Sequence, residues 1–301
     1  MGTRLTLIHA MSPLHAGTGQ SVGAIDLPIA RERATGVPLI PGSSIKGALR
    51  ARSADAQMTR DVFGPDTAAS SEHSGSVQFS DAHLLLLPVR SVRGTFAWVT
   101  SSYLIRKFTR SAREAGLDLA SLPEPPDANG CCVLNDTLTI EVGAGRKVVF
   151  EDLDFIVNTS QEARLRAFTV EVSKVLFPEG SADWPEWRTS LTDRICLIHD
   201  DMMSFLLDTA TEVNAHIRLD NDTKTVAKGA LWYQESLPAE TVLAGIAVAA
   251  DVKAANGRAK REAIELLDHV ASLTDGFVQL GGKSTVGQGS CLVRVAKGAV
   301  P

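Results

Sequence analysis

Near the C-terminus, ten residues constrain the fold more than any others: Leu280-Gly281-Gly282-Lys283-Ser284-Thr285-Val286-Gly287-Gln288-Gly289. They set four glycines and one lysine between two apolar, strand-like runs, 276–280 and 291–295. Glycine lets backbone approach a ligand closely and reach φ > 0. Successive exposed N–H groups in such turns form an anion-binding concavity, and Lys283 adds a positive charge. The segment is a place to hold phosphate. Taken alone, it is also what a tight hairpin turn looks like.

A nucleotide P-loop is excluded. That motif needs Gly, four residues, then Gly-Lys-Ser/Thr and a helix. Here Phe277 stands five before Gly282, and a short β-branched run follows instead of a helix. An extended phosphate backbone suits the loop better than a nucleoside triphosphate.

A second candidate lies near the start. Residues 4–9 alternate like a β-strand, and Pro38-Leu39-Ile40-Pro41-Gly42-Ser43-Ser44-Ile45-Lys46-Gly47-Ala48-Leu49-Arg50 follows. Ser43 or Ser44 is placed to N-cap a helix running through Arg52. The helix N-terminus behind Gly42, the two hydroxyls and Lys46 converge on one anion site. Arg50, four residues on, projects from the same helical face as Lys46. The plain alternative is a capped surface helix with solvated charges.

The 301 residues are 44% hydrophobic, enough to bury a sizeable core as a single domain over 1–301. No apolar run approaches a membrane span and the start lacks a signal peptide's apolar stretch, so a cytoplasmic protein with no membrane partner is expected. Cys131, Cys132, Cys196 and Cys291 have no zinc spacing and read as reduced structural thiols. Net charge is −5, against the basic footprint usual for a nucleic-acid binder. The charge is segregated, however. Arg90, Arg93, Arg106, Lys107, Arg110 and Arg113 occur without an intervening acid, interleaved with Phe96, Trp98, Tyr103 and Phe108. Phe96, Trp98 and Phe108 read as core, and the basic residues as either one RNA face or a solvated helix face.

The pattern is α+β. Strands are expected at 76–89, 94–99, 138–142, 147–157, 241–252, 277–280 and 291–295, with helices at 101–115, 161–175 and 258–273. Residues 53–75 read as a mobile loop. Residues 209–235 alternate like a hairpin, with Arg218, Lys224 and Lys228 near its tip and no large apolar face. The first strand, first helix and last elements fit a β-α-β-β-α-β ferredoxin-like (RRM-like) core. His199-Asp200-Asp201 only superficially resembles a phosphohydrolase metal pair; Asp200 or Asp201 reads as an N-cap for a helix starting near Met202.

The segment 40–50 and the terminal glycine-rich loop together resemble the RAMP superfamily of CRISPR effector proteins. His15-Ala16-Gly17-Thr18-Gly19, Ile25-Asp26-Leu27-Pro28-Ile29 and Gly229-Ala230-Leu231-Trp232-Tyr233-Gln234-Glu235-Ser236-Leu237-Pro238 are similar to the repeated backbone subunits of type III-B (Cmr) complexes. The matches occur in family order across residues 5–295, although Gln234 stands where relatives lead one to expect an acid.

The resemblance implies a ferredoxin-like RAMP palm with inserted finger elements and a thumb β-hairpin at 209–235. It implies a guide-RNA-binding backbone subunit that cleaves guide-paired target RNA at regular intervals, with Asp26 at the family's cleavage position. The residues alone make Asp26 a turn acceptor. His15 is a second catalytic candidate, with a capping or packing role as its alternative, and Glu235 is a weaker one. RNA phosphates would meet Gly42, Ser43, Ser44, Lys46, Arg50, Gly281, Gly282, Lys283, Ser284, Thr285, Gly287 and Gly289. Mg²⁺ or another divalent cation, bound transiently with RNA, would use Asp26 as its protein ligand. Implied partners are guide crRNA, single-stranded target RNA, other CRISPR complex subunits and further copies of the chain in a helical filament. The alternative is a non-catalytic guide-RNA-binding structural subunit, and the two readings differ at Asp26.

Overall fold

Alternation along the first strand, β1 (Gly2–Ala10), feeds two separate cores, because successive side chains point to opposite sheet faces. Leu5 and Leu7 enter one, Ile8 and Ala10 the other. The computed structural model describes residues 1–19, 25–66, 73–119, 121–180, 184–220, 222, 225–254 and 260–296.

After β1 come β2 (Leu39–Ile40), α1 (Gly42–Arg52), α2 (Ala56–Phe63), β3 (Val77–Phe79), β4 (Ala82–Arg90), β5 (Phe96–Ser101) and α3 (Ser102–Glu114). The middle carries β6 (Gly130–Val133), β7 (Thr139–Val142), β8 (Gly145–Phe150), β9 (Leu153–Val157), α4 (Glu162–Leu176), α5 (Trp184–Arg194) and β10 (Ile195–Ile198). The chain closes with α6 (Asp200–Thr209), β11 (Glu212–Leu219), β12 (Val226–Ser236), β13 (Val242–Ala249), α7 (Ala263–Ser272), β14 (Phe277–Gln279) and β15 (Ser290–Val295).

One mixed sheet runs β14-β15-β1-β13-β4-β5-β10-β6-β9-β8-β7, with β2 on β4 and β3 on β13. Its pairs β15–β1, β1–β13 and β13–β4 are all antiparallel. On one face α1, α2 and α7 bring Ile45, Leu49, Val62, Phe63, Leu266 and Leu267 against Ile8. On the other, α3 and α4 bring Ile105, Phe108, Leu165 and Phe168 against Leu5 and Leu7. A third core under α6 joins Met203 and Leu206 to Val99, Cys131 and Cys196.

All four cysteines are free and buried, with Cys131 and Cys132 in different cores. Burial pushes the thiol of Cys132 up to about 11 and that of Cys291 to about 12, so neither is a nucleophile near neutrality. Trp98 and Phe108 are core residues, whereas Tyr103 is exposed.

Several expectations change. Residues 53–75 hold a helix, α2, whose N-terminus Asp55 caps by accepting from the N–H groups of Gln57 and Met58; residues 67–72 lie outside the described ones. α6 is capped by His199, which accepts from Asp201 N–H, while Asp200 accepts from Tyr103 N–H at 2.8 Å. The hairpin β11–β12 forms a sheet of its own and does have an apolar face. Val213, Ile217, Leu231 and Tyr233 are 43–55% exposed there, with Ile217 opposite Leu231. Asn221, Thr223 and Lys224, and the side chain of Lys228, lie outside the described residues. So do residues 255–259, where the last helix was expected to begin; it starts at Ala263.

Candidate active site

Four stretches distant in sequence meet at the root of the hairpin: the turn after β1, the Asp26 loop, β12 and the loop before β15. Leu14 bridges Leu237, Gly17 bridges Ile29, and Leu27 lies parallel to Gln234. Gly282 N–H donates to His15 O at 3.0 Å, and Gly289 N–H to Pro13 O at 2.9 Å.

Asp26 is exposed, and its Oδ2 accepts from Tyr233 N–H at 2.8 Å. Its other oxygen has no partner among the described residues. Leu27 N–H donates to Tyr233 O, and Glu235 N–H to Leu27 O, so the Asp26 loop is stitched to β12 on both sides of the carboxylate. Residues 20–24, just before it, lie outside the described residues.

His15 is 8% exposed, with Nδ1 2.7 Å from Glu235 O. A carbonyl only accepts, so Nδ1 carries a proton and donates it, which leaves Nε2 as the ring's other nitrogen. Glycine at position 17 makes room for that nitrogen: a Cβ there would lie 2.7 Å from it. Glu235 is no free acid. Its carboxylate takes Arg31 at 2.5 Å, Thr211 Oγ1 at 3.0 Å and Ile29 N–H at 3.0 Å.

The glycine-rich loop contains a single 3-10 turn, Ser284–Val286, entered through Lys283 in the left-handed region at φ 66°. Gly281 and Gly289 are required by close packing, since a Cβ would meet His15 O at 2.3 Å and Leu280 O at 2.1 Å. Gly287 has φ 82° and open space. The N–H groups of Lys283, Ser284 and Thr285 have no partner among the described residues. Lys283 Nζ lies 5.8 Å from the centroid of the Trp232 ring, and Gln288 Oε1 accepts from Gln234 Nε2 at 2.7 Å. Thus the loop, His15 and Asp26 all bear on β12.

The start of α1 is different. Pro41, not Ser43 or Ser44, occupies the N-cap, because Asp81 from the β3–β4 turn supplies the acceptor for Gly42 N–H at 2.8 Å. Ser43 and Ser44 are exposed in the first turn. Gly42 lets the chain pass Phe79 O, 2.2 Å from where a Cβ would sit. Arg50 turns away onto Gly64 O at 2.9 Å and Asp66 at 2.7 Å, leaving Lys46 alone on that face without an ion pair among the described residues. α1 packs against β14, which leads into the glycine-rich loop, but no hydrogen bond joins the two candidate sites among the described residues. The basic helix α3 sits on the opposite sheet face, where Lys107 pairs with Glu32 at 2.6 Å.

A sequence profile of the RAMP superfamily matches residues 7–292. The chain is 30% identical over 295 residues to the CRISPR system Cmr endoribonuclease Cmr4 of Pyrococcus furiosus, covering 96% of this chain and 94% of that one. The chain belongs to the RAMP superfamily, on its Cmr4 branch. The crystal structure of oligomeric Cmr4 from Pyrococcus furiosus matches this RAMP chain with a TM-score of 0.73 at 25% identity, over 99% of both chains. A chain of the type III-B Cmr-beta complex bound to cognate target RNA gives 0.69 at 20% identity over 98% of this chain and 97% of that one, a likeness of fold.

Sequence reasoning missed Arg31, Thr211, Asp81 and Gln288 in this RAMP protein. Arg31 sits in Arg31-Glu32-Arg33, which reads as solvated charge, and nothing local reveals its buried partner 204 residues away. Among the described residues no group of three or more acids, histidines and cysteines is placed to hold a metal ion, and no helix is long and apolar enough to cross a membrane.

Proposed function

We propose that the chain is a backbone subunit of a type III-B CRISPR effector complex that binds guide RNA and cleaves the paired target RNA at Asp26. The glycine-rich loop, with Lys283 and the open N–H groups of Lys283, Ser284 and Thr285, takes guide phosphates. Ser43, Ser44 and Lys46 take others. The strands β15-β1-β13-β4, with α1 and α7, serve as the ferredoxin-like palm. Further copies of the chain stack as a filament, and the exposed apolar face of β11–β12 lies against RNA or the next copy. The relative's designation as an endoribonuclease and the oligomeric Cmr4 crystal support this reading.

The observation that carries the cleavage assignment is Asp26 itself: exposed, held through one oxygen by Tyr233 N–H, and with no partner on the other among the described residues. A carboxylate so placed can take the proton of a ribose 2′-OH as that oxygen attacks its own phosphate. The P–O5′ bond breaks, leaving a cyclic phosphate and a 5′-OH protonated by water. DNA, lacking the 2′-OH, would not react. A divalent ion bound to Asp26 would draw its other ligands from RNA phosphate and water, and would stabilise charge on the phosphorane. His15, with Nδ1 committed to Glu235 O, acts by fixing the glycine-rich loop on β12.

Asp26→Asn in the assembled complex tests the proposal. Asn keeps the size and the Tyr233 contact but takes no proton, so cleavage of guide-complementary RNA should fall by about 10²-fold or more while guide binding survives. Undiminished cleavage would move the chain to the non-catalytic backbone class.

A further inference from the structure

Asp26 is held by the hairpin root, and the hairpin root is held by Arg31. From Asp26 the hydrogen bonds run to Tyr233 N–H, from Tyr233 O to Leu27 N–H, and from Leu27 O to Glu235 N–H. The Glu235 side chain, 4% exposed, then closes the ring by accepting from Ile29 N–H and Arg31. Arg31 extends the clamp, donating to Gly36 O at 2.9 Å and to Leu207 O at 2.9 Å near the end of α6. Thr211, between α6 and β11, donates to the same Glu235 oxygen that pairs with Arg31. The Arg31 guanidinium and the Glu235 carboxylate therefore tie together the Asp26 loop, the end of α6, the start of β11 and the end of β12.

We infer that Arg31 is a positioning residue for cleavage, locking the Asp26 loop and the β11–β12 hairpin into one unit so that the hairpin's seat on RNA sets where the carboxylate stands. This rests on Asp26 being the cleaving carboxylate. An exposed loop residue anchored by one hydrogen bond has no placement of its own to the accuracy that proton transfer requires. The buried Glu235–Arg31 pair supplies it. Removing one partner leaves an uncompensated buried charge and leaves only the hydrogen bonds of Tyr233 and Glu235 to hold the loop on the hairpin, whereas the glycine-rich loop makes no hydrogen bond to Arg31 among the described residues.

The experiment compares complexes carrying Arg31→Met, Arg31→Lys, Arg31→Met/Glu235→Gln and Asp26→Asn, reading single-turnover cleavage and target-RNA affinity separately. Arg31→Met should slow cleavage by roughly 10- to 100-fold, the scale of a misplacement of about 1 Å, with target affinity unchanged. Arg31→Lys keeps the charge but reaches fewer acceptors, and should recover part of the rate. The double variant removes the buried unpaired charge, so it should assemble even if Arg31→Met fails to, and still cut slowly. If it cuts at the wild-type rate while Asp26→Asn is inactive, the positioning role is overturned and the Asp26 assignment stands. Equal losses of rate and affinity, or failure of both variants to assemble, would make Arg31 a folding residue and overturn the inference. Full cleavage by Asp26→Asn would remove the premise instead.

Discussion

The start of α1 and the loop 281–289 both offer glycine, hydroxyls and a lysine, yet they leave a ligand very different backbones. At α1, Gly42 N–H already donates to Asp81 and the N–H groups of Ser44 and Ile45 to Pro41 O, so an acid sits at the positive end of the helix. In the loop, three successive N–H groups beside Lys283 have no partner among the described residues, and none of those residues places a hydrogen-bonded carboxylate there. The loop is the stronger phosphate site. Glycine content does not distinguish the two segments, because most of these glycines serve packing. What distinguishes them is which backbone donors the rest of the fold has already taken.

The sharpest way to break this comparison is to add single methyl groups. Gly42→Ala places a Cβ 2.2 Å from Phe79 O, a clash with backbone that cannot move cheaply. About 1–3 kcal/mol of stability should be lost, the usual cost of overpacking. Gly289→Ala meets Leu280 O at 2.1 Å at φ 80°, and the left-handed backbone adds a further ~1–2 kcal/mol. Gly287→Ala has the same kind of φ with open space around it, so it should lose only the strain. Denaturant unfolding of the three variants checks the ranking. A fully stable Gly42→Ala that binds guide RNA poorly would mean that this glycine serves the ligand after all.

A smaller effect separates the lysines. Lys283→Ala and Lys46→Ala should each weaken guide-RNA affinity regardless of sequence, because phosphate contacts position the chain without reading bases. Each should also shallow the log–log salt dependence by about 0.7, the value for one single-strand phosphate contact. Lys283→Ala should cost the more affinity, since Asp81 opposes an anion at the start of α1. Equal losses would place the two sites on an equal footing, and a sequence-selective loss would put a lysine on a base edge.

Periodicity made β1, α3 and α4 readable, because each buries one face or two over many residues, and the hairpin strands were readable from alternation although their apolar face stays exposed. The four-residue strands β6 and β10 were not readable as partners. β10 pairs in parallel with β5 nearly a hundred residues earlier, a choice no local pattern encodes. The site divides the same way. His15, Asp26 and the glycine-rich loop carry local signals of turn and charge, and the structure brings all three onto β12. Arg31 and Asp81 carry none, because their roles come from partners supplied by other elements. Ser43 and Ser44 had the right chemistry for a cap, but Asp81 reaches the first N–H from outside the helix.

Lys283 gives the finest test of why the loop is the better site. Its φ of 66° and ψ of 29° place a non-glycine residue where an L side chain costs ~1–2 kcal/mol, a kind of strain that gathers at functional sites. Lys283→Gly and Lys283→Ala both remove the charge and the contact over Trp232. They differ in that glycine also relieves the strain, at about 0.5–1 kcal/mol of extra unfolded-state entropy. Lys283→Gly should therefore unfold at slightly higher denaturant than Lys283→Ala, by less than about 1 kcal/mol, and the two should bind guide RNA with equal affinity. If the glycine variant binds more weakly than the alanine variant, the side chain's hold on the backbone is itself presenting those N–H groups to phosphate. In that case the lysine contributes twice, once by charge and once by stiffness, and no lysine on the already capped α1 can do the second.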